Sequence, residues 1–219
     1  YLSSEYSRRL DEHRYEHADD LFDGHAYVKG AWVLHMLRVK LGDALFQKAI
    51  RAYVHRYRQG VVETADLRRT MEDATGFELQ TFFDQWVHRP GHPKLVATWR
   101  WKAETGQAQV TVGQTGGTWR LDLPVVARGE FGERRLTLAL GRKSEDFSLA
   151  LPSEPKTVEF DPEWTVLAEW ELNKPVWEWT WQLHHGTTAL SRRRAAEELG
   201  RVVDDVERPL AATALANSL

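Results

Sequence analysis

Two histidines four residues apart, with a glutamate between them, stand in His13-Arg14-Tyr15-Glu16-His17. On a helix this spacing sets both imidazoles on one face, one turn apart, with a carboxylate beside them, and such a face can offer two ligands to a zinc ion. A catalytic zinc needs a third protein ligand and an open position. At the downstream distance where a helical Glu would have to supply that ligand, the chain runs through Arg89-Pro90-Gly91-His92-Pro93 into an alternating segment. Asp11, Glu12, Arg14, Asp19 and Asp20 surround the pair, so the stretch reads as a solvated helix face. No metal ligand is assigned to it.

The other candidates carry less chemistry. His184-His185 precede a Gly-Thr-Thr turn and read as a helix end. Trp164, Trp170, Trp177, Trp179 and Trp181 could stack on a sugar, but read better as side chains stapling a sheet to the helices that follow. Arg192-Arg193-Arg194 reads as a solvated helix face, and no Ser lies in a nucleophile-elbow context. The absence of Cys removes thiolate zinc sites, disulfides and Cys nucleophiles together. With 29 basic against 32 acidic residues and a net charge of -3, no global field exists to hold a nucleic acid or an anionic membrane. No apolar run approaches the ~20 residues of a membrane span, and residues 1–20 are too charged for a signal peptide. At 42% apolar residues the chain can build a core. Its chemistry must come from His, carboxylates, Tyr or hydroxyls.

The stretch that matters most is Asp23-Gly24-His25-Ala26-Tyr27-Val28-Lys29-Gly30-Ala31. It sets a Tyr at the start of a helix and follows it with Lys-Gly-Ala and an apolar stripe. By itself the pattern describes a tightly packed core helix, in which Gly30 and Ala31 let a neighbour approach.

The elements that must position these residues follow from periodicity. Tyr27, Ala31, Leu34, Met36, Leu37 and Leu41 predict a helix ended by Gly42, a second runs from Asp43 to Gly60, a third starts at Thr64 as N-cap and ends at Thr75-Gly76, and a short fourth carries Leu79, Phe82, Phe83 and Trp86. Arg89-Pro90-Gly91-His92-Pro93 breaks the helical period, and from Leu95 the period is two. Strands are predicted at Leu95–Trp101, Ala108–Val112, Trp119–Val125, Arg134–Leu140, Phe147–Leu151 and Thr157–Phe160, with a seventh at Trp164–Trp170, together an antiparallel β-sandwich. After Asn173-Lys174-Pro175 helices return, with Trp177, Trp181 and His184 as one stripe, a run from Ser191 to Leu199, and a third helix from about Val202 that is still open at Leu219. This last part looks like the opening of an α-solenoid, so the array is expected to continue past the last residue.

Tyr27-Val28-Lys29-Gly30-Ala31 resembles the Tyr-x-Lys-Gly-Ala helix of the aminopeptidase N family, the gluzincin zinc aminopeptidases that include leukotriene hydrolase. Leu41-Gly42-Asp43 with Phe46, Asp66-Leu67, Met71-Glu72, Thr75-Gly76, Phe82-Phe83-Asp84-Gln85-Trp86 and Gly91-His92-Pro93 match in the same order. The resemblance implies an α+β, multi-domain chain. Residues 1–93 would be the C-terminal helical part of a thermolysin-like catalytic lobe, 94–171 the β-sandwich and 172–219 the start of a HEAT-like helical domain. It implies a parent enzyme whose zinc, held by HExxH and a downstream Glu, activates water against the N-terminal peptide bond. Tyr27 would then donate a hydrogen bond to the oxyanion, with Lys29, Gly30 and Ala31 as packing and positioning residues.

This sequence contains neither HExxH nor a GxMEN-type substrate loop. The chain is therefore expected to be a C-terminal fragment that holds no zinc and no other cofactor, and hydrolyses nothing alone. Its expected partners are peptide N-termini and the missing N-terminal part of the same protein, with no nucleic acid and no membrane, in the cytoplasm. The alternative is a non-catalytic interaction scaffold of the same architecture. Such a scaffold would be expected to lose the Tyr, so the retained Tyr27 favours the enzyme.

Overall fold

A computed structural model describes residues 1–2, 7–202 and 207–217. It divides into two compact units, Tyr1–His92 and Pro93–Leu219.

The first unit is helical. A 3-10 turn (Ala18–Leu21) and a π-helical turn (His25–Lys29) lead into α1 (Gly30–Leu41), α2 (Asp43–Tyr57), α3 (Thr64–Thr75) and α4 (Gln80–Trp86). Gly42, at φ 77°, lets the chain reverse between α1 and α2 where a side chain would be strained. The cap of α3 is Glu63 rather than Thr64: Glu63 and Asp66 satisfy each other's amides in a capping box, and Gly76 closes the helix in the left-handed conformation. Leu37, Ala49, Met71, Leu79, Phe83 and Trp86 form the buried interior. The stripe expected on α1 mixes two faces, because Val33, Met36, Leu37 and Leu41 are buried while Ala31 and Leu34 are exposed.

His13-Arg14-Tyr15-Glu16-His17 is not helical. The Glu12 carboxylate accepts the N–H groups of His13 and Arg14 at 3.0 Å each, which turns the backbone locally instead of letting it wind. His17 then serves as N-cap of the 3-10 turn. The helix face that would have set two imidazoles one turn apart does not form.

Among the described residues the second unit holds seven strands in two sheets. β1 (Lys94–Lys102), β2 (Gln107–Thr115), β5 (Ser144–Ala150) and β7 (Glu169–Leu172) make a four-stranded sheet in the order β5-β2-β1-β7. β3 (Leu121–Gly129), β4 (Gly132–Leu140) and β6 (Thr157–Phe160) make the other, in the order β4-β3-β6. Among the described residues the five ladders are not all of one kind: β1–β2, β2–β5, β3–β4 and β3–β6 are antiparallel, but β7 runs parallel to β1, with Leu95 opposite Trp170. An all-antiparallel arrangement is thereby corrected. β7 also starts later than expected. The Asp161 carboxylate, buried, accepts the Thr165 amide and hydroxyl and the Val166 amide at 2.7–2.9 Å, and Asp161 and Trp164 take φ values of 43° and 53°. That turn keeps Trp164–Ala168 out of the ladder.

Three helices follow in the same unit, α5 (Val176–His185), α6 (Ala189–Gly200) and α7 (Arg208–Ala216). Val176, Trp179, Leu183, Ala195, Leu199, Ala211 and Ala214 form their shared apolar cluster. The inward face of α5 is 176/179/183 rather than 177/181/184, and Trp177 is exposed. The expected helix start near Val202 falls beside residues 203–206, and the expected open end at Leu219 also falls outside the described residues. Arg194 departs from a solvated face: its guanidinium lies over Trp164 and Trp170, 5.6 Å from each ring centre, and donates to the Phe160 carbonyl. Among the described residues no helix is long and apolar enough to cross a membrane.

Candidate functional site

Tyr27 sits in the middle of the π-helical turn, with 63% of its surface exposed and its ring tilted against Phe22 at 6.3 Å. π-helical turns recur at functional sites because they cost backbone energy that the surroundings must offset. Here the surroundings are explicit. Asp23 Oδ1 accepts the N–H groups of His25 (2.8 Å) and Ala26 (3.0 Å), while the Asp23 carbonyl accepts the Tyr27 N–H at 3.1 Å.

Arg8 grips the same carboxylate from outside the turn. Its Nε donates to Asp23 Oδ2 at 3.0 Å and its Nη2 to Oδ1 at 2.7 Å, and the same guanidinium reaches the carbonyls of Leu21 and Arg9. The Arg8 N–H donates to His25 Nε2 at 3.3 Å, so the ring proton sits on Nδ1, which faces Asp23 Oδ2 at 3.0 Å. Burial raises the cost of the Asp23 charge, but Arg8, the Ala26 amide and the His25 contacts outweigh it and hold the carboxyl well below the usual carboxylate range.

Lys29 closes the other end. It is fully buried, and its ammonium donates to the Arg89 carbonyl at 3.0 Å. Desolvation, with the nearby Arg8 and Arg89 charges, lowers its pKa from 10.5 to about 8. Residues 8–11 are tied in turn to the end of α4. The Leu10 N–H donates to the Val87 carbonyl, and Asp11 is shared between Arg9 and His88 at 2.8 and 2.7 Å. Burial opposes the Asp11 charge, yet these two partners hold its carboxyl below its ordinary value. Three stretches distant in sequence (8–11, 23–29 and 87–89) are thus knitted around one exposed phenol.

A neutral phenol is a hydrogen-bond donor that can face a developing negative charge without needing deprotonation. Among the described residues no group of three or more His, Asp or Glu gathers to hold a metal ion. His13 is exposed and His17 caps a turn, so the described residues do not make a zinc site.

Residues 3–86 match the model of the Peptidase family M1 domain. Aminopeptidase M1-A of Oryza sativa subsp. japonica is 27% identical over 150 residues, 68% of this chain and 17% of that protein. Aminopeptidase N of Lactococcus lactis subsp. lactis is 36% identical over 78 residues, 35% of this chain and 9% of that protein. Among solved structures, that of Legionella pneumophila aminopeptidase A in complex with aspartic acid superposes with a TM-score of 0.76 at 16% identity, over 87% of this chain and 23% of that one. The fold of this chain is therefore similar to that of part of that structure. The chain spans less than a fifth of the length of these two curated relatives.

Of the residues around this turn, the sequence reading names Tyr27 and Lys29 and does not single out Arg8, Asp23 and His25. Asp23 had a readable signal, an Asp two and three residues before amides at a helix start. Arg8 had none, since a lone Arg among polar residues reads as solvated.

Proposed function

We propose that this chain is part of a zinc-dependent aminopeptidase that removes N-terminal residues from peptides, and that Tyr27 stabilises the tetrahedral intermediate. The observation that carries the reading is a single exposed tyrosine on a tightly anchored π-helical turn, at the Tyr of a Tyr-x-Lys-Gly-Ala motif inside an M1 segment. A zinc ion would supply Lewis-acid polarisation of the scissile carbonyl and an activated water; these 219 residues contain no HExxH to hold it.

What this chain contributes is the donor. As the carbonyl carbon becomes tetrahedral its oxygen gains charge, and a phenol O–H already aimed there needs no reorganisation. One such donor contributes about 3–4 kcal/mol in the transition state, or roughly 10²–10³ in kcat. Lys29 carries no proton transfer in this scheme, because its amine is spent on the Arg89 carbonyl inside the unit.

The same reading makes the two sheets the faces of a β-sandwich and α5–α7 the opening of a HEAT-like array. It is supported by the alternation of buried residues along β2 and by the apolar cluster shared by α5, α6 and α7. These 219 residues alone are inactive, and their partner is the N-terminal part of the same protein. The test is hydrolysis by the parent polypeptide of an aminoacyl anilide and of its N-acetylated form. Cleavage of the free-amine substrate only is expected, abolished by a chelator and restored by zinc. Absence of cleavage by the metal-loaded parent would overturn it.

A further inference from the structure

An exposed side chain such as Tyr27 cannot be fixed by packing alone, so the direction of its hydroxyl depends on the backbone turn that carries it. Asp23 is the residue that holds that turn. Its carbonyl takes the Tyr27 N–H, one carboxylate oxygen takes the amides of His25 and Ala26, and the other faces the His25 ring. Three consecutive amides and the His25 ring therefore refer back to one residue.

Helix capping alone does not ask for what lies behind Asp23. A surface Asp at a helix start satisfies its amides without help, yet here both carboxylate oxygens are also bound by the fork of Arg8. The Arg8 side chain is 4% exposed, and the desolvation of a buried guanidinium is offset only by near-complete satisfaction of its donors. It has that satisfaction, through Asp23 and the carbonyls of Arg9 and Leu21. The outcome is a bidentate, directional clamp that removes the rotational freedom of the Asp23 carboxylate and, through it, of the amides it receives. Gly24, next in the chain, offers no side chain that could do this.

We infer that Asp23, clamped by Arg8, is a positioning residue that acts through Tyr27 by fixing the turn on which the phenol stands. This rests on the proposed role of Tyr27. It adds that the geometry of the donor is set from the 8–11 segment rather than from α1.

The test is a double-mutant cycle on the metal-loaded parent enzyme, with kcat and KM measured for Asp23→Ala, Tyr27→Phe and the pair. Misplacing a catalytic group by about 1 Å can cost 10²-fold, so Asp23→Ala is expected to lower kcat by about 10–10² with KM changed less than about threefold. In the Tyr27→Phe background the same substitution is expected to change kcat by less than about threefold, because the hydroxyl it places is gone. Asp23→Asn retains an acceptor for the His25 and Ala26 amides and is expected to recover most of the kcat lost in Asp23→Ala. If Asp23→Ala does not fold, Asp23→Asn is run through the same cycle, with the same non-additivity expected at smaller amplitude. Equal losses in both backgrounds would overturn the inference and leave Asp23 a general structural residue. A Tyr27→Phe enzyme with unchanged kcat would overturn the Tyr27 reading and this inference with it. A Tyr27→Phe loss without an Asp23 effect would overturn this inference alone.

Discussion

Lys29 offers a perturbation whose size can be worked out from its surroundings. Its ammonium is fully buried, takes one carbonyl as acceptor and lies near the charges of Arg8 and Arg89. An amine that ordinarily titrates near 10.5 is held at about 8, so protonation of the folded state is disfavoured by roughly 3 kcal/mol at about 1.4 kcal/mol per pH unit. Between those two values the unfolded chain still binds a proton that the folded chain has released. Stability therefore rises with pH from about 8 to 10.5 and is lowest below 8. Lys29→Met retains the length of the side chain and removes the titration. The assay is urea unfolding of both proteins, followed by circular dichroism, at pH 7 and pH 10. The difference between wild type and Lys29→Met is expected to move by about 2–3 kcal/mol in favour of wild type over that interval. Other groups titrate equally in both proteins and cancel. A difference flat to within about 0.5 kcal/mol would refute the argument that Lys29 is held charged against its burial.

Two further outcomes concern the second unit. Glu178 gathers the Lys174 ammonium, the Trp99 indole, the Thr157 hydroxyl and the Val158 amide in the interior, and burial pushes the Lys174 pKa down despite Glu178. Glu178→Gln leaves that ammonium without its counter-charge and is expected to cost about 3–5 kcal/mol in urea unfolding, with Lys174→Met/Glu178→Leu recovering most of it. Gly186 lies where an added Cβ would sit 2.7 Å from both the Gln182 carbonyl and Ser191 Oγ. Gly186→Ala is expected to cost about 1–3 kcal/mol, read as a lowered Tm.

Local periodicity was enough to locate α1–α4 and the strands, since each buries its apolar residues at its own repeat. It failed where a side chain captured the backbone or where partners came from far away. Glu12 turned His13–His17 away from a helix, and Asp161 delayed β7 by the same kind of local capture. On α5, five aromatic or apolar residues compete for the interior, and the buried anchor Glu178 decides that 176/179/183 faces inward. The seat of Arg194 is not legible locally, because nothing nearby in sequence announces Trp164 and Trp170. At the candidate site the local half, Asp23 capping the turn before Tyr27, was present in the spacing. The distant half was not, because Lys29 reaches Arg89 and Arg8 reaches Asp23 across 60 and 15 residues.

The measurement that bears most directly on the central claim is steady-state kinetics of Tyr27→Phe in the metal-loaded parent enzyme. If the phenol faces charge that exists only in the transition state, kcat falls by about 10²–10³ while KM changes far less. A Tyr27→Phe enzyme with near wild-type kcat would contradict the assignment.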